Sequence, residues 1–148
     1  MPINTSPIFT VSGDITWNTG FLVTANMVSG TAASAYDGTS SVLIHTAGLN
    51  GSFVQKIVCE AGGTNTACVL RIYINNGSDY TTAANNSLYY QYSLPATTQS
   101  NIVATGHIEI PLSLQLPYPY KLYAIVAGTA GTTTLTGGWK ITCIGGDY

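Results

Sequence analysis

The chain is 148 residues long, one ordinary domain, and at that size it can bury roughly 70% of the surface its unfolded form exposes. Charged residues make up 7%, against a usual ~25%, and the net charge is −2. The basic residues are Lys56, Arg71, Lys121 and Lys140, with no cluster among them, which argues against nucleic acid or an anionic membrane as the partner, since phosphates are neutralised by grouped Lys and Arg.

Polarity comes instead from 21 Thr and 12 Ser, with Asn and Gly. A polar but nearly uncharged surface has a small solubility margin as a lone monomer. The expectation is that much of it is covered by other subunits or partners.

Along the chain the dominant signal is period-two alternation in short runs between turn residues, the mark of half-buried strands. Residues 1–20 hold Ile3, Ile8, Phe9 and Trp17 among Thr, Ser and Asn, and read as an extended arm or a first strand ending in Ile15-Thr16-Trp17. Phe21, Val23, Ala25 and Met27 are expected on one face against Thr24 and Asn26. Residues 42–44 and 52–58 read as two further strands. Leu70, Ile72 and Ile74 alternate with Arg71, Tyr73 and Asn75. Leu88, Tyr90 and Tyr92 alternate with Ser87, Tyr89 and Gln91.

The clearest run is 107–116, with Ile or Leu at every even position and polar residues or Pro at every odd one. Pro111 has no N–H to give a ladder, so this strand is expected at a sheet edge or a bulge. Residues 120–127 and 139–144 close the set at eight or nine strands. Asp37-Gly38, Asn50-Gly51, Gly62-Gly63 and Asn76-Gly77 supply turn chemistry. The long loops fall at 78–86, 96–105 and 128–138, and no helix longer than two turns is expected.

These elements predict an all-β, two-sheet antiparallel sandwich over 21–148. A jelly roll is favoured over an immunoglobulin-like topology because the Cys…Trp…Cys signature is absent and the connections are long. Cys59, Cys68 and Cys143 have no zinc spacing and read as small buried side chains, with a Cys59–Cys68 bridge left open. The start of the chain lacks the pattern of a secretory leader, and no apolar run reaches the ~18–20 residues of a membrane span.

The search for chemistry returns no nucleophile elbow, no phosphate loop and no dinucleotide fingerprint. No catalytic residue, metal ligand or cofactor is assigned. His107 and Glu109 share a strand face by spacing and read as solvated, while His45 is expected to pack beside a sheet. The acidic residues Asp14, Asp37, Glu60, Asp79, Glu109 and Asp147 are scattered. A hydrolase would need His45 or His107 within about 3 Å of a carboxylate and a Ser or Cys.

The positive anomaly is ten tyrosines. Tyr gives rigid amphipathic contact area suited to interfaces or to stacking on sugars, and it also simply favours strands. Alternation puts Tyr90 and Tyr92 inward with Leu88, and Tyr73 and Tyr89 outward. The candidate interface set is Ile3, Ile8, Phe9, Trp17, Tyr73, Tyr89, Tyr118 and Tyr148.

The stretches Val69-Leu70-Arg71-Ile72-Tyr73-Ile74-Asn75-Asn76-Gly77, Leu94-Pro95-Ala96-Thr97, Ile108-Glu109-Ile110-Pro111-Leu112 with Leu116-Pro117, Trp139, and the ending Ile144-Gly145-Gly146-Asp147-Tyr148 together resemble small jelly-roll capsid decoration, or cement, proteins of tailed bacteriophages. The resemblance spans roughly residues 42–148 and rests on strand and turn residues. It implies a non-enzymatic virion structural protein on the outer capsid surface, a homotrimer, with the major capsid protein and its own copies as partners. It carries no catalytic residues. The alternative expectation is a carbohydrate-binding or tail- or fibre-associated jelly-roll module.

Overall fold

The structure is a computed structural model that describes residues 12–23, 27–29, 40–128 and 135–148, with Met27–Ser29 through its backbone alone. Among the described residues nine strands are present: β1 (Ser12–Trp17), β2 (Met27–Ser29), β3 (Val42–Thr46), β4 (Ser52–Ala61), β5 (Cys68–Asn75), β6 (Asn86–Leu94), β7 (His107–Leu116), β8 (Lys121–Gly128) and β9 (Trp139–Asp147). A 3-10 turn, Ala83–Asn85, precedes β6.

One sheet has the order β1-β9-β4-β7. The other runs β8-β5-β6, with β3 and β2 pairing the remaining edge of β8 along its first and second halves. β2 joins in parallel, and every other pair is antiparallel. The pairs β1–β9, β3–β8, β4–β7 and β5–β6 nest one inside the next and alternate between the sheets. That is a long antiparallel ribbon wound around a core, the jelly-roll topology. The two-sheet sandwich read from the alternation is therefore the fold.

The core lies between the sheets. From the first sheet come Val54, Ile57, Cys59, Ile110, Leu112, Trp139, Ile141 and Cys143; from the second come Leu70, Ile72, Leu122, Ala124 and Val126. In β7 the even positions turn inward and the odd ones are exposed, as period two requires. β7 is an edge strand, and its pairing with β4 slips between Val54 and Lys56, where Lys56 faces Pro111. Ser113 lies two residues on with a φ of 49°. Pro111 sits where a missing ladder donor costs nothing.

Three buried asparagines tie the ends of the sandwich together. Asn65 donates to the carbonyls of Gly63 and Gly138 and accepts from the Gly138 N–H. Asn18 accepts from the Ile141 N–H, and Asn75 accepts from Gly77 N–H while donating to Asn86. A neutral amide satisfies buried backbone groups without the desolvation cost of a charge, which is how so uncharged a chain closes its loops. Beside Asn65 the chain passes so closely that a Cβ on Gly137 would run into the backbone of Gly63, so this crossing requires glycine.

Several expectations are corrected. Leu22 rather than Phe21 turns inward, fully buried in an isolated bridge to Trp139, while Phe21 is exposed. The β5–β6 pairing slips between Ile72 and Tyr73, so that Ile72 faces Tyr90 and Tyr73 faces Leu88, leaving Tyr89 as an extra residue. The extra residue reverses the alternation, and Leu88 packs on the outer side of the sheet against Tyr73 and Ile125. Tyr92 turns toward the core as expected, but Tyr90 is exposed. Cys59, Cys68 and Cys143 are all buried and free.

Candidate functional site

Of the residues proposed from sequence as interface, Ile3, Ile8 and Phe9 lie outside the described residues. Trp17 is 59% exposed on edge strand β1, and its neighbour on the same face, Ile15, is 57% exposed. Ile15 pairs with Ile144, and Trp17 with Thr142, on the outer face of β9. Phe21, under the Lys140 ammonium at 5.9 Å, extends this apolar strip. Tyr118 is 55% exposed in the β7–β8 turn and Tyr89 is 40% exposed at the β6 bulge. Tyr148 is half-buried and held to the β3–β4 turn, its N–H donating to the Gly51 carbonyl.

Tyr73 does not belong with them. Alternation places it on the outer side of its sheet, but it is only 2% exposed. It packs with Ile125 and Leu88, and alongside it the Tyr80 ring from the β5–β6 connection stacks on Tyr123 at 4.9 Å and 14°. The buried Arg71 on the same face donates from Nε to Gln91. Period two tells which side of a sheet a residue takes; it does not tell whether that side is covered.

Next to Trp17 the edges of the two sheets frame an open groove of about 260 Å3, lined by Thr16, Trp17, Thr19, Leu43, Ile44, His45 and Thr46. The groove exists because β1 and β3 are edge strands of opposite sheets. His45 reaches it through a bulge. The β3–β8 pairing slips between Leu43 and His45, which turns both Ile44 and His45 inward. Regular alternation from Ile44 would have sent His45 outward.

His45 is 3% exposed. Its Nδ1 lies 3.1 Å from Thr16 Oγ1 and 3.4 Å from Asp14 Oδ2, both from the inner face of β1. Asp147, from the end of β9, is held by Ser52, whose hydroxyl donates to it at 2.5 Å and accepts from the Gly48 N–H. Burial pushes the His45 pKa down, against the pull of the Asp14 and Asp147 carboxylates. Asp14, His45 and Asp147 each offer a ligand atom within 4.8 Å of the others.

Sequence reasoning missed this cluster, because residues 14, 45 and 147 carry no spacing signal and His45 enters only through the bulge. The distances meet part of the hydrolase requirement, but the geometry is not that of a proton relay. A relay needs the nucleophile on one ring nitrogen and the carboxylate on the other. Here Thr16 and Asp14 approach the same nitrogen, and Nε2 is buried with no hydrogen-bond partner. The cysteines offer no substitute: burial pushes Cys59 and Cys143 up to about 12 and Cys68 up to about 11, far from a reactive thiolate.

The second histidine lies on the solvated outer face of β4 and β7, as its spacing predicts. His107 Nδ1 contacts Glu60, its Nε2 lies 3.8 Å from Glu109, and Lys56 Nζ reaches Glu109 at 2.6 Å. The Glu60 hydrogen bond raises the His107 pKa, and Lys56 lowers that of Glu109. All four groups are solvated, so the ladder orders charge without strongly stabilising the fold.

Comparison of the chain with known protein families, with curated proteins and with solved structures gives no match. No helix among the described residues is long and apolar enough to cross a membrane.

Proposed function

We propose that the chain is a non-enzymatic structural subunit of a virion, a decoration or cement protein. It sits on the outer surface of a bacteriophage head, bound to the major capsid protein and to its own copies as a homotrimer. The observation that carries this reading is the exposed apolar strip of Ile15 and Trp17 on edge strand β1, with Phe21 beyond its end. Among the described residues nothing pairs with the free edge of that strand. An apolar edge strand is a template for association unless a protein blunts it with charge, and this one carries Asp14 alone, turned inward. The low charge of the chain and its resemblance to phage decoration proteins support the same reading.

Electron microscopy of the parent particle tests it. Density for this chain on the capsid exterior, in threefold clusters, is the expected result. Particles that lack the chain would sink the proposal.

A second reading is favoured by the groove beside Trp17. An exposed indole at a groove that Thr19 and Thr46 also line suits a sugar ring stacked on its apolar face. Binding of any glycan at millimolar concentration, lost in Trp17→Ala, would favour a carbohydrate-binding module. Silence across a glycan array would leave the packing role.

A further inference from the structure

Asp14, His45 and Asp147 come from three strands and from both sheets, and their ligand atoms lie within 4.8 Å of one another. Two carboxylates that close repel unless a positive charge stands between them. Among the described residues no Lys or Arg forms an ion pair with either one: Lys56 is taken by Glu109, and Lys140 donates to the Asn18 carbonyl.

The imidazole does not settle the arrangement by hydrogen bonding. With the proton on Nδ1, Nε2 is a buried lone pair that accepts from nothing. With the proton on Nε2, that N–H is buried without an acceptor, and the Nδ1 lone pair, within reach of the Thr16 hydroxyl at 3.1 Å, also faces the Asp14 carboxylate.

The distances carry a second message. At 3.4 Å, Nδ1 and Asp14 Oδ2 are longer than an ordinary N–H···O bond of about 2.7–3.2 Å. Two ligands on a tetrahedral zinc with bonds of about 2.1 Å stand about 3.4 Å apart. Support from outside the cluster is present at Asp147, where Ser52 fixes one carboxylate oxygen and is itself fixed by the Gly48 N–H.

We propose that Asp14, His45 and Asp147 form a binding site for a divalent transition-metal ion of the zinc type. One imidazole nitrogen and two carboxylates suit that class better than calcium, which prefers oxygen alone. The ion clips the edge strand β1 and the end of β9 to β3 in the opposite sheet. It is therefore a structural fastener across the mouth of the sandwich, beside the apolar strip rather than within it. The site stands independently of the virion reading.

The test uses the full chain, stripped with chelator and titrated with zinc chloride, read by calorimetry and by thermal melting. One zinc per chain and a rise in melting temperature are expected. Asp14→Asn, at a partly exposed position, should keep the fold and weaken zinc binding by about tenfold or more. Asp147→Asn retains an acceptor for Ser52 and should lose the zinc-dependent shift as well. Cobalt in place of zinc should give the visible bands of a tetrahedral site. Melting unaffected by zinc in the stripped wild type would overturn the proposal, as would unchanged zinc affinity in a folded Asp14→Asn protein.

Discussion

The outer faces of the two sheets are written in the same alternating pattern and end in opposite environments. On the β8-β5-β6 side, Tyr73, Ile125 and Tyr123 are buried, with Leu88 and Tyr80 packed over them. On the β1-β9-β4-β7 side, Ile15 and Trp17 stand in solvent at one edge, and the ladder of Lys56, Glu60, His107 and Glu109 lies toward the other. One face is closed by the chain itself. The other is left for something else, and this asymmetry supports assigning contact with partners to the β1 side.

Truncation on the closed face should break the comparison most severely. Tyr73→Ala or Ile125→Ala should each cost about 2–5 kcal/mol, the range for large buried side chains, in denaturant unfolding monitored by circular dichroism. A cost under ~0.5 kcal/mol would mean that the face is not packed. Tyr80→Ala removes only the lid of the Tyr123 stack and should cost about 0.5–1.5 kcal/mol in the same assay.

On the open face Trp17→Ser should change monomer stability by no more than about 0.5 kcal/mol, since the indole is mostly in water. Its effect should appear in sedimentation instead, as loss of self-association or of capsid binding. A large loss of stability with unchanged association would reverse the assignment of the two faces.

The smallest effect concerns His107. Its pKa is raised by the Glu60 hydrogen bond, so the charged ring is favoured in the folded state. The resulting stabilisation is complete below the unfolded value of 6.5 and fades as pH rises through the higher folded value. Nuclear magnetic resonance titration should place His107 above 6.5, and Glu60→Gln should bring it down.

The fold was legible where alternation is regular. The 107–116 run predicts β7, its edge position and its inward face, because period two and the missing donor of Pro111 are properties of the residues themselves. What the sequence conceals is the extra residue. Bulges near His45 and at Tyr89 carry no compositional mark, yet each reverses the facing of everything beyond it. One turns His45 in toward Asp14 and Asp147; the other sends Leu88 outward onto Tyr73. Closure of the outer face at Tyr73 was hidden for a different reason, since it depends on Tyr80 from a connection whose path no local pattern specifies.

The central claim is that the open β1 face is the contact surface. A reconstruction of the parent particle at side-chain resolution tests it most directly. The account predicts Ile15 and Trp17 buried against a neighbouring copy or the major capsid protein, with the Tyr73 face unchanged. A particle in which those two side chains face solvent, with contacts made elsewhere, would contradict it.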